Sequence, residues 1–362
     1  MTVQSSQPGG KQHVIPAAHI ANFSNNETIP RKRSRPVFFR RDGMETAVPV
    51  KAGNVGFREH IYTIQDTTYL DDERYVDRTW TYVEKNLSLA VQALEQHKGG
   101  PTFDGVLWVT VLVPFVSQLF CRGEDFEKLL FDRAPSLELL NKQLEFNSQD
   151  NTNMNRLIDF QIYCGLFCNA EWRVLHNRTD IPFVLSDLGY TTINADRYGY
   201  GRGKGYFIPI SKTVAIVITQ RHPINQQPSN LYGKKIMMIH GPVTDKNKVK
   251  LFNKRIVKSA HVEAYGPSKE VLDEAWGERA VRRKEAPAGA SLIQSRLVDA
   301  LKIQIHWKWM DLFDIPPSVR KEVYGGRVIE LAEGMVESKV PQAIVYNEKM
   351  KNSFYTMVYK EL

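Results

Sequence analysis

Apolar residues recur at helical spacing through the first half of the chain and give way to short β-branched runs in the second half. From Asp71 or Asp72, the residues Tyr75, Trp80, Val83, Leu87, Val91 and Leu94 predict one long helix that ends at Gly99-Gly100. Asp104 is placed to cap a following, almost wholly apolar helix, in which Pro114 forces a kink or a break because it removes a backbone donor. Further helices are predicted over 124–144 and 153–176, the second turning Leu157, Phe160, Cys164, Phe167 and Trp172 inward. The texture then becomes β, with strands expected over 181–185, 206–210, 213–219 and 235–240, before helical spacing returns over 246–261 and 268–281.

Both ends of the chain add smaller elements. Residues 1–12 read as a flexible tail, and His13 to Phe23 as a turn followed by a short helix, with Pro16 near its start. The strands 37–41 and 46–51 flank the turn dipeptide Asp42-Gly43, a hairpin signal. Near the other end, 284–291 has linker composition, followed by one or two helices and a closing hairpin over 343–347 and 354–359. The fold class expected is α+β: a helical central region packed on a mostly antiparallel sheet, with an added C-terminal helix and hairpin region. The domain expected spans 13–283, and 292–362 form an extension packed on it.

Composition narrows the class. With 42% hydrophobic and 10% aromatic residues in 362, the chain can bury a sizeable core. Its three cysteines, Cys121, Cys164 and Cys168, are too few for a disulfide framework and suit a reducing compartment. Met1 to Lys11 lack the apolar core of a secretory signal. The longest apolar run, 106–121, falls short of a bilayer span. A cytoplasmic protein with no membrane partner is expected.

The net charge of +8 is regional rather than uniform. Between Arg197 and His261 there are 13 Lys and Arg against one acid, Asp245, or +12, which leaves 8 − 12 = −4 for the rest of the chain. Such a region allows a polyanionic partner. The run Arg31-Lys32-Arg33-Ser34-Arg35 reads as an exposed loop leading into the hairpin rather than as a nuclear-import address.

A set of short signals also falls in a telling order: His13-Val14-Ile15-Pro16 then Phe23, the stretch from Phe57 to Tyr62, Gln118 with Arg122, Trp172, Phe183-Val184-Leu185-Ser186-Asp187, Phe207-Ile208-Pro209-Ile210-Ser211, and Asn253. Together they resemble the domain-of-unknown-function 4238 family, which opens on His-x-x-Pro, carries a Gln-x-x-x-Arg helix, and later shows a Ser-Asp step and a Phe-Pro-Leu-Ser-like strand. The resemblance covers residues 12 to about 275. Two departures stand out: Leu188-Gly189-Tyr190 replaces the family's Asn-Pro-Val, and Gly123-Glu124 replaces Thr-Pro. The resemblance implies a fold but no chemistry, so the residues must supply that argument.

The signature residues His13, Gln118, Arg122 and Asp187 form one candidate catalytic set. A histidine beside a carboxylate can exchange protons, and arginine offers a planar fork to phosphate, a combination suited to phosphodiester hydrolysis. The competing account is architectural: Asp187 caps a turn, Arg122 pairs with it, and His13 satisfies a carbonyl. No cofactor is evident; Mg²⁺ or Mn²⁺ is the class expected if there is one, with Glu84 and Asp187 as candidate ligands. Cys164 and Cys168 read as core rather than as a metal site.

Candidate ligand-binding residues lie in the basic region. Gly199-Tyr200-Gly201-Arg202-Gly203-Lys204-Gly205 alternates glycines with cations, a composition that can cradle a phosphate, although it leads into a strand rather than a helix; a mobile loop between strands is the simpler account. Lys246, Lys250, Lys254 and Lys258 recur every fourth residue and form a cationic stripe opposite Val249, Phe252, Ile256 and Ala260; a plain solvated face is the alternative. Lys234 and Lys235 add charge, and Tyr198, Tyr200, Tyr206 and Tyr232 are placed to stack on bases. Trp307 and Trp309 read as core.

The expectation is therefore a protein that binds nucleic acid, DNA or RNA, or another phosphate-rich ligand, with hydrolysis at the signature residues as a further step. The alternatives are a non-catalytic protein that docks an acidic partner, and an enzyme of a small phosphorylated metabolite with the glycine loop as its lid.

Overall fold

The structure, a computed structural model, describes residues 10–65, 73–97, 102–127, 148–168, 170–201, 203–219, 235–277, 279, 321–324 and 327–330. The chain opens with β1 (Lys11–His13) and α1 (Ala17–Ile20), the latter preceded by Pro16, whose fixed φ suits a helix entry. Then come β2 (Pro36–Arg41), β3 (Val48–Lys51) and β4 (Phe57–Glu59). β2 and β3 form the hairpin expected around Asp42-Gly43, with Phe39 opposite Val48. β1 pairs with β4, so that His13 lies opposite Phe57 and Gln12 opposite Arg58.

The long helix expected from residue 71 is two helices, α2 (Tyr75–Glu84) and α3 (Leu87–Gln96), parted at Lys85-Asn86, where Asn86 leaves the helical region with φ −104° and ψ 2°. Asparagine competes with helical hydrogen bonding and favours such ends. The break keeps Val76, Trp80 and Val83 of α2 and Leu87, Val91 and Leu94 of α3 in one core. After β5 (Thr102–Asp104), the Asp104 carboxylate accepts a hydrogen bond from the Leu107 amide at 2.8 Å and starts the apolar helical run. Pro114 does not stop that run. A wide π turn over Trp108–Leu112 precedes it, and Pro114 falls in the first turn of the renewed helix α4 (Val113–Arg122), where a missing amide donor costs nothing. α5 (Ser148–Cys168) packs against α4.

The helix expected to run to residue 176 ends at Cys168, and residues 171–177, Trp172 included, are strand β6 (Glu171–Asn177). The sheet supplies partners that helical spacing could not reveal: β10 (Val214–Thr219) pairs along its whole length, with Ile218 opposite Trp172. With β7 (Leu185–Ser186), β8 (Thr191–Asn194), a one-turn α6 (Ala195–Tyr198), β9 (Lys204–Pro209), β11 (Lys235–Met237) and β12 (Ile239–Val243), the second half builds a five-stranded sheet in the order β12-β6-β10-β9-β8. It is antiparallel except where β12 runs parallel to β6. Then come α7 (Lys246–Ser259), β13 (Glu263–Gly266) and α8 (Lys269–Trp276). β13 completes a second sheet, β3-β2-β13-β7, and so brings residues 263–266 beside β2 near the start of the chain.

One apolar core runs through both halves, from Ile15, Trp80 and Phe115 to Trp172, Ile216 and Tyr265. The fold is thus a mixture of helices with antiparallel and mixed sheets. No helix among the described residues is long and apolar enough to cross a membrane. β14 (Lys321–Tyr324) and β15 (Arg327–Glu330) pair antiparallel with each other. The expected hairpin over 343–347 and 354–359, the linker 284–291, Trp307 and Trp309 lie outside the described residues, as do residues 128–147 of the expected helix 124–144.

Candidate functional site

The signature residues close around Arg122 at the end of α4. Its guanidinium is 2% exposed, and its Nε donates to the His13 carbonyl oxygen at 3.0 Å while Nη2 reaches the same oxygen. Nη1 donates to Gln118 Oε1 at 3.1 Å and forms an ion pair with Glu84 from α2. The helical spacing of Gln118 and Arg122 puts the amide beside the guanidinium. Tyr62 returns a hydrogen bond from its hydroxyl to the Arg122 carbonyl at 2.9 Å, and the Tyr62 and Trp80 rings lie 5.6 and 5.8 Å from the charge. Burial works against the cation, but Glu84 and Tyr62 outweigh it, and Arg122 is held more firmly charged than usual. What His13 gives this cluster is its backbone, not its imidazole.

The His13 ring packs edge-on against Phe57, 5.9 Å between centroids. Burial lowers its pKa to about 4, and the charges of Arg122 and Arg33 push the same way. A neutral imidazole among cations is a different setting from the expected histidine beside a carboxylate. Its Nε2 is buried with no hydrogen-bond partner.

Asp187 has other company. It follows β7, and its carboxylate accepts three backbone amides that lead into β13: His261 at 2.7 Å, Val262 at 2.7 Å and Glu263 at 2.9 Å. Burial raises its pKa to about 6 against the pull of those donors. The expected pairing of Asp187 with Arg122 is therefore corrected, because Arg122 pairs with Glu84 while Asp187 fastens β7 to β13. Glu84 and Asp187, offered as joint metal ligands, are engaged on different partners. Among the described residues no group of three or more His, Cys, Asp or Glu could hold a metal ion. Cys121, Cys164 and Cys168 are buried and unbridged, and burial raises the Cys164 and Cys168 thiols above their usual range.

Sequence reasoning missed the charged groups around Asp187. Arg58 bridges Glu124 and Glu263, Arg41 also pairs with Glu263, and the Tyr265 hydroxyl donates to Glu263 at 2.7 Å. His261 Nδ1 lies 3.1 Å from Asp125 and Nε2 3.8 Å from Glu124. The hydrogen bond to Asp125 raises the His261 pKa, against burial. Two signals were available: Arg58 belongs to the family stretch 57–62, and Glu124 stands at one of the two departures from the family pattern.

The basic region centres on α7, capped by Asp245, whose carboxylate accepts the Asn247 amide at 2.8 Å. Val249, Phe252, Asn253, Ile256 and Val257 are buried. Asn253 is held there because its side chain accepts the Val184 amide and donates to the Pro182 carbonyl. The four-lysine stripe is not uniform. Lys246 pairs with Asp180 at 2.8 Å and Lys250 with Glu274 at 2.7 Å, so half of it meets acids from elsewhere in the fold. Lys254 is half-buried and Lys258 exposed.

The opposite flank of α7 is built differently. Lys248 Nζ lies 5.8 Å from the Tyr200 ring and the Arg255 guanidinium 5.9 Å from that of Tyr198, with the two tyrosines stacked at 6.3 Å and 18°. Sequence reasoning passed over both cations because neither falls on the four-residue repeat. Tyr198 and Tyr206 are buried, which removes them as stacking platforms, while Tyr200 is half-buried.

The glycine loop after α6 is pinned. Asp196 accepts the Gly203 amide at 2.7 Å, and a Cβ at Gly201 (φ 139°) would lie 2.6 Å from Thr219 Oγ1. An amide engaged by a carboxylate is no part of a phosphate cradle. Lys204 is exposed where the loop enters β9. The side chain of Lys235, and Arg202, Lys234 and Tyr232 altogether, lie outside the described residues; the Lys235 backbone pairs with Asp104.

The profile of a family described as "Protein of unknown function (DUF4238)" matches residues 11–270. No curated protein and no solved structure matches the chain.

Proposed function

Since the chain belongs to the DUF4238 family, whose description carries no activity, we propose a function from its own surface: it binds nucleic acid through the flank of α7 that faces the 199–205 loop. One observation carries the reading. On this flank Lys248 and Arg255 are set against tyrosine faces, whereas Lys246 and Lys250 on the other flank are matched with Asp180 and Glu274. A cation held over an aromatic face keeps its charge for an incoming phosphate. Half-buried Tyr200 offers part of a ring beside that charge, the combination that single-stranded nucleic acid uses. Lys204 and Lys258, both exposed, extend the positive surface.

The proposal is for binding. Hydrolysis at His13, Gln118, Arg122 and Asp187 would need Asp187, whose carboxylate already accepts three amide donors, to hold Mg²⁺ or Mn²⁺ or take a proton on what remains of its lone pairs, and Arg122 to leave Glu84 and the His13 carbonyl. An acidic protein partner on the same flank is the other class of ligand that this surface would suit. A cytoplasmic setting belongs to the proposal and is supported by three unbridged, buried thiols. So does a C-terminal helix and hairpin addition, although the β14–β15 pair stands in the stretch where helix was expected.

The test is fluorescence anisotropy with labelled single- and double-stranded DNA and RNA across a salt series, with and without Mg²⁺ or Mn²⁺. Binding should weaken linearly on a log–log salt plot, and a Lys248→Gln/Arg255→Gln double variant should lower the slope by about two phosphate contacts. Lys246→Gln/Lys250→Gln should change it less. No retention of any probe at low salt, or equal slopes for the two double variants, would sink the reading. Cleavage that needs the metal would reinstate hydrolysis.

A further inference from the structure

Three histidines gather where the helical half meets the outer edge of the five-stranded sheet. His97 stands just past the end of α3, His176 on β6 and His240 on the edge strand β12. His176 Nε2 and His240 Nδ1 are 3.0 Å apart, in hydrogen-bond contact. The His97 ring stacks on His240 with centroids 3.9 Å apart and planes 27° apart, and His176 lies 5.3 Å from His240 at 22°. Nearly parallel rings do not aim their nitrogen lone pairs at one point, so this is no metal centre, in keeping with the lack of any metal-holding group among the described residues.

We propose that His97, His176 and His240 form a proton-operated latch that holds the end of α3 and the β12 edge together while the rings are neutral and loosens when they take up protons.

The bond between His176 and His240 needs one N–H and one bare nitrogen, so the pair keeps it with one extra proton but not with two. In doubly protonated His240 both ring N–H groups need acceptors, and Nε2 is buried without a hydrogen-bond partner. Stacking His97 over His240 then sets further positive charge at ring-contact distance, where like charges repel. Burial lowers the His240 pKa to about 4, with His97 and His176 adding to it; burial also lowers that of His176, followed by Arg178 and His97.

The other charged groups on the packed elements give little relief: α7, which packs on β12, adds cations, with Lys246 paired to Asp180 and Lys250 to Glu274. Glu171 and Arg173 on β6 pair with each other. Arg178 beyond β6 adds positive charge. Glu95 on α3 accepts hydrogen bonds from the Ser211 and Thr213 hydroxyls. β10 contributes no titratable side chain, and β12 none besides His240.

The consequence is local. Among the described residues β12 is an edge strand, paired parallel to β6, so its release leaves the rest of the sheet paired. The measurement is backbone hydrogen exchange of the full chain from pH 7.5 to 5.0, corrected for the intrinsic pH dependence of exchange. Amides of β12 should gain about tenfold in relative exchange while those of β9 and β10 hold, the pattern of a local opening. His240→Gln removes the titrating ring and should flatten the β12 response. His97→Gln removes only the stacking charge and decides the matter if the first variant does not fold. An unchanged pH response in the variant, or no acceleration of β12 in the wild-type protein, overturns the latch.

Discussion

Arg122 and Lys248 both present a cation on a helix, and the fold treats them in opposite ways. Arg122 is 2% exposed and meets Glu84, Gln118 and a backbone carbonyl at almost every donor. Lys248 lies half-buried beside Tyr200, an aromatic face with no charge of its own to cancel the ammonium. The first arrangement spends its cation inside the fold. It resembles an active site in residue types and differs from one in that its charge is matched, while Gln118 Nε2 and His13 Nε2 are buried without a hydrogen-bond partner. Conspicuous residues at family signatures can therefore be architectural, while less conspicuous ones retain unused charge.

The sharpest way to break this contrast is to remove the cation from the buried cluster. Arg122→Met should destabilise the protein by about 3–5 kcal/mol, because Glu84 and the His13 carbonyl would lose their partner in a dry site; urea denaturation measures this, and a loss below about 1 kcal/mol would mean that the cluster is not architectural. Asp187→Ala comes next, at about 2–4 kcal/mol, since three backbone amides would be left without an acceptor. If instead the variant melts like the wild type, Asp187 is free for chemistry.

Acid should separate the regions further. His13 and His19 are both held at about 4, below their ordinary 6.5, by burial first of all. The neutral ring is the folded form, so the stability it contributes is complete above pH 6.5 and is lost as pH falls from there through about 4. His261 has the opposite sign, with a contribution present at low pH that fades as pH rises through its raised value. Melting temperature should therefore decline below pH 6.5, and His13→Gln should reduce the steepness of the decline. The smallest effect on stability belongs to the other region: Lys248→Gln/Arg255→Gln should cost about 1–2 kcal/mol, the worth of two cation–ring contacts, while binding weakens.

Much of the architecture was legible because it rests on local chemistry. Asp42-Gly43 between β-prone runs specified a hairpin, Asp104 a helix start, and Val249, Phe252 and Ile256 an amphipathic helix from Lys246. The errors have physical causes. Trp172 and its neighbours continue the helical spacing of α5, yet they become β6 because β10 and β12 offer hydrogen-bond partners on both sides. Asn86 splits a periodic stretch, which period alone does not register. At the candidate site, the gathering of His13, Gln118 and Arg122 followed from their shared signatures, but Asp187 joined another group, and Arg58, Glu124, Asp125, His261 and Glu263 went unnoticed.

What the chain determined by itself was the family, the mixture of helices and sheets, and the concentration of positive charge between residues 197 and 261. These depend on composition, on neighbours within a few positions and on the order of short signals. Only the tertiary structure decided which charges are cancelled. Asp180 and Glu274 reach α7 from separate segments, and Glu84 reaches Arg122 from another helix. Electrostatic pairing acts across space over a few ångströms, and distance along the sequence does not enter it.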